Sequence, residues 1–463
     1  MLPAEWEPQR FVQLTWPHAD TDWAPYLESA QECFLNIARE ITRREPLLVV
    51  TPVPEETEEQ LRKGGVDMSQ VVIEECPTND TWARDHAFIC TREPDSIGGS
   101  TDEYVEGGGN IILHDFTFNG WGMKFAANLD NQINRTLYDD DIFADNDILD
   151  LWDAAYQNNR DKTLEGGSIE SDGKGTILTT SECLLSVNRN IFEDKSSFKR
   201  WFQDDFGASR VLWLDYGFLV GDDTDSHIDT LARFCPNDTI VYVKCDDPDD
   251  IHYEGLKQME EQLKGFGTVE GKPFRLLALP LPAPILESDF PDAIPEAGDQ
   301  RLPATYANFL VINGAVLYPT YNQPENDQKA AEVLQEAFPD REIVGIDCRV
   351  LIRQQEKQLN SYRSVQLETS MLDSWVLSQR RSTSFLQFEI SIVASSVQSF
   401  TNRFFNRGLP RKSSDVMAEP TQINSSSSGF CDRSIDVIAL LPHRLTIRVF
   451  NSVNSDTSTA STV

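Results

Sequence analysis

Residues 78–86 read Thr-Asn-Asp-Thr-Trp-Ala-Arg-Asp-His, the densest run of aromatic, ionisable and hydrogen-bonding side chains in the chain of 463 residues. Asp80 and Asp85 offer paired carboxylates to a planar guanidinium or amidinium, and Trp82 offers a ring face to the same cation. An acidic turn after a strand, with Trp82 filling core, would use the same residues. The choice between the two depends on the rest of the chain.

Two other stretches bear on it. Leu164-Glu165-Gly166-Gly167-Ser168-Ile169 places a carboxylate before a glycine pair that permits close backbone approach, although a tight turn has the same composition. If Ser226-His227-Ile228-Asp229-Thr230 is a strand, His227 and Asp229 lie on one face, projecting into a shared cleft. Histidine is the side chain best suited to exchanging protons near neutral pH, and a neighbouring carboxylate favours its charged form. A surface His–Asp pair is the plainer alternative. Metal ligation at His227 is not expected, because no second His or Cys stands nearby at ligand spacing.

The composition narrows the partners. A net charge of −35 repels nucleic acid and anionic membrane and attracts small cations. The eight cysteines form neither a C-x-x-C pair nor a regular framework, so reduced thiols are expected. The N-terminus has no basic and apolar leader pattern, and no apolar run reaches membrane-spanning length, so a cytoplasmic protein is expected. Oligomeric state is not legible.

Apolar residues at helical spacing mark a helix through Ala30, Phe34, Ile37, Ala38 and Ile41, and others near 126–137, 197–206, 253–264 and 327–338. Short β-rich runs lie between them: 47–50, 71–73, 111–113, 211–214, 240–244, 274–279, 309–312, 315–318 and 343–346. Five helices interleaved with strands predict an α/β architecture of repeated modules. The proline-rich segment 280–303 reads as a loop. After Gln354 the composition changes. Residues 355–463 hold 11 Lys and Arg against 9 Asp and Glu, with 22 Ser and two Gly, so the negative excess belongs to residues 1–354. Two units follow: 1–354, and a divergent Ser-rich tail, 355–463, expected to be irregular, with its apolar patches 390–394 and 438–441 able to make short elements.

The ordered motifs together resemble the agmatine deiminase and bacterial-type peptidyl-arginine deiminase family. The likeness runs from Pro3-Ala4-Glu5-Trp6-Glu7-Pro8 and Thr15-Trp16-Pro17-His18 through 79–86, 164–169 and His227-Ile228-Asp229-Thr230-Leu231-Ala232-Arg233-Phe234. It continues in Tyr306-Ala307-Asn308-Phe309, Pro319-Thr320-Tyr321-Asn322 and Gly345-Ile346-Asp347-Cys348-Arg349. The resemblance implies a pentein α/β-propeller of five ββαβ-type modules around a pseudo-fivefold axis. It also implies a reaction in which a cysteine thiolate attacks the guanidinium carbon, ammonia leaves, and water resolves the thiouronium to a ureido product. Asp85 and Asp229 would hold the guanidinium, Glu165 and His227 would handle protons, and no cofactor or metal is called for. Agmatine, giving N-carbamoylputrescine on a route to putrescine, is the expected substrate. Peptidyl arginine is the alternative, disfavoured because no export signal is seen.

The chain departs from the family after Arg349-Val350-Leu351-Ile352-Arg353-Gln354. Relatives continue with a Gly-rich turn and a His-Cys pair that supplies the nucleophile, whereas this chain continues Gln355-Glu356-Lys357. Cys431 lacks the flanking His and Gly, and Cys348 is expected on a strand, packed in core. No nucleophilic Cys is therefore assigned. Loss of a nucleophile can cost on the order of 10⁶ in turnover, so the chain should bind a guanidinium better than it hydrolyses one. A tail from an altered reading frame or unremoved intervening sequence explains this more simply than a guanidinium-binding pseudoenzyme. Either origin leaves the fifth module incomplete and the packing of 306–354 weakened.

Overall fold

A computed structural model describes residues 1–92, 111–143, 146–149, 151, 154–191, 194–293 and 299–357, together with two strands of the tail. Five three-stranded sheets follow one another along the chain. The first joins β1 (Val12–Thr15), β2 (Leu47–Thr51) and β3 (Val71–Glu75). The second joins β4 (Ile89–Arg92), β5 (Ile111–Thr117) and β6 (Ala155–Thr163). The third joins β7 (Ile169–Ser171), β8 (Thr176–Thr180) and β9 (Arg210–Leu214). The fourth joins β10 (Ala232–Cys235), β11 (Thr239–Lys244) and β12 (Arg275–Pro280). The fifth joins β13 (Leu310–Ile312), β14 (Ala315–Thr320) and β15 (Glu342–Asp347).

In sheets two to five the first pair is antiparallel and the second parallel, with helical structure in the parallel crossover. The expectation of an incomplete fifth module is thus corrected, since β13–β15 with the helix Pro324–Ala337 has the full ββαβ set. The sheet that departs from the pattern is the first, whose three strands are all parallel. Strands β13 and β14 are largely buried whereas β15 buries only Ile346, and a cavity of about 710 Å³ is lined by Leu310, Leu317, Tyr318, Ile346 and Leu351 together with Phe11, Val12 and Phe88.

Local chemistry explains most of the elements. The helix Leu27–Thr42 buries Ala30, Phe34, Ala38 and Ile41 along one stripe. Leu47-Leu48-Val49-Val50-Thr51 is buried throughout, as an apolar strand covered on both faces must be. Asp194 caps the helix Lys195–Phe206 through the amides of Ser196 and Ser197, and Gly207 ends it in the left-handed conformation at φ 64°. Among the described residues a further helix, Pro54–Lys63, was not expected, because its charged surface leaves only Thr57 and Leu61 buried. Strand β6 was missed for a related reason: Tyr-Gln-Asn-Asn-Arg-Asp-Lys is polar, and it forms a sheet edge.

Neighbouring sheets share cores in rotation. Leu48 and Val50 pack with Leu113, then Ile89 and Phe116 with Ile169 and Ile177, then Leu178 and Leu214 with Val241, Leu279, Val311 and Val316. Val12, Phe34, Leu47 and Val49 of the first sheet and its helix pack with Ile312, Leu317 and Ile346 of the last. The chain divides into units Met1–Val365 and Gln366–Val463. Within the second, Arg433–Leu441 and Arg444–Asn451 pair as antiparallel strands, so the tail is not irregular throughout, and 438–441 does form strand. The patch 390–394 and Cys431 lie outside the described residues.

Candidate active site

Three turns carry the predicted groups. The short helix Ala83–His86 presents Asp85, the turn Gly166–Ser168 follows Glu165, and the turn Ile228–Thr230 carries Asp229 behind His227. The segment is thus a 3₁₀ turn, not the strand that would put His227 and Asp229 on one face. It is entered through two left-handed residues, Asp225 (φ 63°) and Ser226 (φ 60°), a costly conformation without glycine. Asp222 holds this approach by accepting from the amides of Thr224 (3.0 Å) and Ser226 (2.9 Å).

Gly167 is the point of convergence. A Cβ there would lie 2.7 Å from Asp229 Oδ2, 2.7 Å from His227 Nδ1 and 2.8 Å from Asp85 Oδ1. Gly166 is needed equally, because its Cβ would meet the Arg84 carbonyl oxygen at 2.2 Å. The Gly167 amide donates to Asp85 Oδ1 at 2.9 Å, and Trp121 Nε1 donates to Asp85 Oδ2 at 2.9 Å. His227 Nδ1 stands 3.6 Å from Asp85 Oδ1, and His227 Nε2 stands 3.7 Å from Glu165 Oε2. Asp229 is buried, with Oδ1 lacking a hydrogen-bond partner among the described residues.

These positions set the charges. Burial disfavours the His227 imidazolium, but the charge of Asp85 and the adjoining Cys183 and Glu165 outweigh it and raise the group well above the ordinary histidine range. For Glu165 burial acts upward instead, and contact with His227 and Arg189 overcomes it, leaving the carboxyl lowered. Asp229 is raised by burial and by Asp85, against the opposing effect of His227 and Arg84.

A cavity of about 170 Å³ opens on this cluster, lined by Asp85, His227, Asp229, Asp80, Trp82 and Trp121, with Asp22, Asp222 and Asp223 on its walls and Arg84 as a cation among them. Glu165 is fully buried behind His227 and does not line it. Trp82 is half-buried, tilts against Trp23 at 6.0 Å, and donates to Gln354 at 2.7 Å, while Gln354 Nε2 donates to Asp80 at 2.8 Å. Burial pushes Asp80 up to about 6 despite the Gln354 hydrogen bond.

Sequence reasoning missed Trp121, Arg189, Cys183 and the Asp222–Asp225 loop, none of which stands in a motif of chemical spacing. Arg189, buried, shows in the sequence only as one basic residue in Asn188-Arg189-Asn190. Cys348 follows β15 instead of lying within it, is partly exposed, and lines the cavity. Its thiol is pushed well above the usual range by the adjoining Cys33 thiol and by burial, and burial raises Cys183 as well. Neither is a ready thiolate.

Known proteins resemble this chain over about three quarters of its length. A putative arginine deiminase from Porphyromonas gingivalis is 44% identical, with a TM-score of 0.66, over 76% of this chain and 94% of its own. The C. jejuni agmatine deiminase with substrate bound is 35% identical at a TM-score of 0.63, over 76% of this chain and 92% of its own. Agmatine deiminase of Pseudomonas aeruginosa is 28% identical over 364 residues, 76% of this chain and 91% of that protein. The family profile of the Porphyromonas-type peptidyl-arginine deiminases matches residues 1–356, the part of the chain that builds the five sheets and the acidic cavity. Motifs, sheets and profile coincide over the same residues, and the chain belongs to the Porphyromonas-type peptidyl-arginine deiminase family, with agmatine deiminases among its relatives.

Proposed function

We propose that residues 1–354 form an agmatine deiminase-like guanidine site whose hydrolytic step is impaired in this chain. The observation that carries the proposal is the pair of buried carboxylates, Asp85 and Asp229, meeting beside His227 at Gly167 on the wall of an acidic cavity. Asp85, Asp229 and His227 Nδ1 converge within 2.7–2.8 Å of one point, and a planar guanidinium entering the cavity satisfies both carboxylates by hydrogen bonding.

In this reading Asp85 and Asp229 keep the guanidinium charged and its carbon electrophilic, as preorganised carboxylates do. His227, raised and buried, is the proton donor to departing ammonia, and Glu165 behind it sets its charge and orientation. Trp82 and Asp80 form the wall against which the substrate is laid. Attack on the carbon needs a thiolate, and Cys183, beside the cluster, and Cys348, on the cavity wall, have raised thiols. Agmatine is the substrate proposed, with N-carbamoylputrescine and ammonia as products and cytoplasmic polyamine synthesis as the setting. The pentein arrangement about a fivefold axis belongs to the same reading, and the rotation of shared cores through the five sheets supports it.

Calorimetry of the full chain with agmatine tests binding, with Asp85→Asn as the control. Saturable heat lost in the variant is expected, and no heat at millimolar agmatine would refute the site. Release of ureido product, measured for the natural chain beside one carrying a Gly-rich His-Cys turn after Gln354, tests the impairment. Activity only in the second is expected. Equal turnover would overturn the impaired step, and turnover of a peptidyl-arginine substrate but not of agmatine would overturn the substrate.

A further inference from the structure

Behind the cavity three side chains from three elements meet. Glu165 Oε2 lies 4.0 Å from Cys183 Sγ and 3.7 Å from His227 Nε2, and one ligand atom of each residue falls within 4.8 Å of the others. All three residues are at most 1% exposed. His227 Nε2 has no hydrogen-bond partner among the described residues, an expensive state for a buried polar atom. We infer that Glu165, Cys183 and His227 form a binding site for a soft divalent cation of the zinc class. Spacing along the chain could not reveal it, because Cys183 stands 44 residues before His227.

Zinc takes sulfur, imidazole nitrogen and carboxylate oxygen together, at bonds of roughly 2.0–2.3 Å, which places neighbouring ligands about 3.3–3.8 Å apart. Small side-chain movements reach that spacing from the distances observed. The outer contacts are of the kind that orient metal ligands. Asp85 faces His227 Nδ1, leaving Nε2 to the metal, and Arg189 Nε holds Glu165 through both carboxylate oxygens at 2.9 and 2.8 Å. The charges also balance. The Cys183 and His227 protons leave to solvent, the thiolate and Glu165 neutralise the ion, and Arg189 remains paired with Asp225 at 2.6 Å. A fourth position is left for water, and His227, which lines the cavity, gives the ion its way in. An occupied site would hold His227 without its proton. If the proposed deiminase chemistry stands, the ion is therefore an inhibitor.

Cobalt(II) is the probe, titrated into the full-length chain. One equivalent is expected to bind with a thiolate-to-cobalt charge-transfer band, zinc(II) should bleach it, and Cys183→Ser should lose the band and at least tenfold in affinity. An acidic surface also collects metal ions, but through oxygen alone. Binding without the band, or with a band unchanged in Cys183→Ser, overturns the inference. X-ray absorption of the zinc-loaded natural chain needs no variant: one sulfur in the first shell is expected, and a shell of oxygen and nitrogen only refutes the site. Neither readout depends on guanidine binding.

Discussion

Arg189 Nε donates to both carboxylate oxygens of Glu165, at 2.9 and 2.8 Å, in a pair whose side chains are both wholly shielded from solvent. The same guanidinium reaches Asp225 Oδ2 at 2.6 Å and the Thr224 carbonyl at 2.9 Å, so it ties the turn before His227 to the carboxylate behind His227. Removing one member of a buried pair leaves the other as an uncompensated charge. Arg189→Met is expected to cost about 3–5 kcal/mol of stability, read by denaturant unfolding. A loss indistinguishable from zero would show that Glu165 is not buried and charged.

Gly167→Ala separates space from fold. The residue does not adopt a left-handed conformation, so the added methyl strains no backbone dihedral, yet it occupies the point shared by Asp85, His227 and Asp229. The variant is expected to keep its far-ultraviolet circular dichroism while losing on the order of tenfold or more in agmatine affinity, the cost of roughly 1–3 kcal/mol for overfilling a packed site. Unchanged affinity would place the guanidinium elsewhere.

Agmatine affinity should rise with pH. Burial pushes Asp80 and Asp223, both on the cavity wall, up to about 6. Below that value they are neutral, and above it they offer charge to a ligand that stays cationic throughout. Binding near pH 7.5 is expected to exceed binding near pH 5 by about tenfold, with a proton released. Calorimetry in buffers of differing ionisation enthalpy measures both, and proton uptake on binding would contradict the assignment.

Asp130 presents a stability prediction of opposite intuition. It accepts from the amides of Asn79 (2.6 Å) and Asp80 (3.3 Å), yet burial pushes its carboxyl from 3.8 up to about 7. A raised carboxyl makes the ionised form the costly one, so its penalty is absent below pH 4, grows as pH rises, and is complete above 7. Asp130→Asn keeps an acceptor oxygen and is expected to be neutral near pH 4 and stabilising above pH 7, by up to about 4 kcal/mol. A variant destabilised at both pH values would show that the charge is needed.

The sequence alone determined the elements whose signal is local. The helix Tyr253–Lys264 was readable to its ends, and β2 and β11 to within a residue, because apolar periodicity is written into consecutive positions. The four residues Asp85, Glu165, His227 and Asp229 were legible through motifs, as was the anionic character of whatever they surround. The tertiary structure decided how they meet. It made 228–230 a turn, set Glu165 behind His227, away from the cavity wall, and brought in Trp121, Arg189 and Cys183. It also decided that β1 runs parallel to β2 and that the last sheet is whole. The physical reason is range: Asp85 meets the Gly167 amide across 82 residues, and no spacing rule within a helix or strand encodes a contact made by folding the chain back on itself.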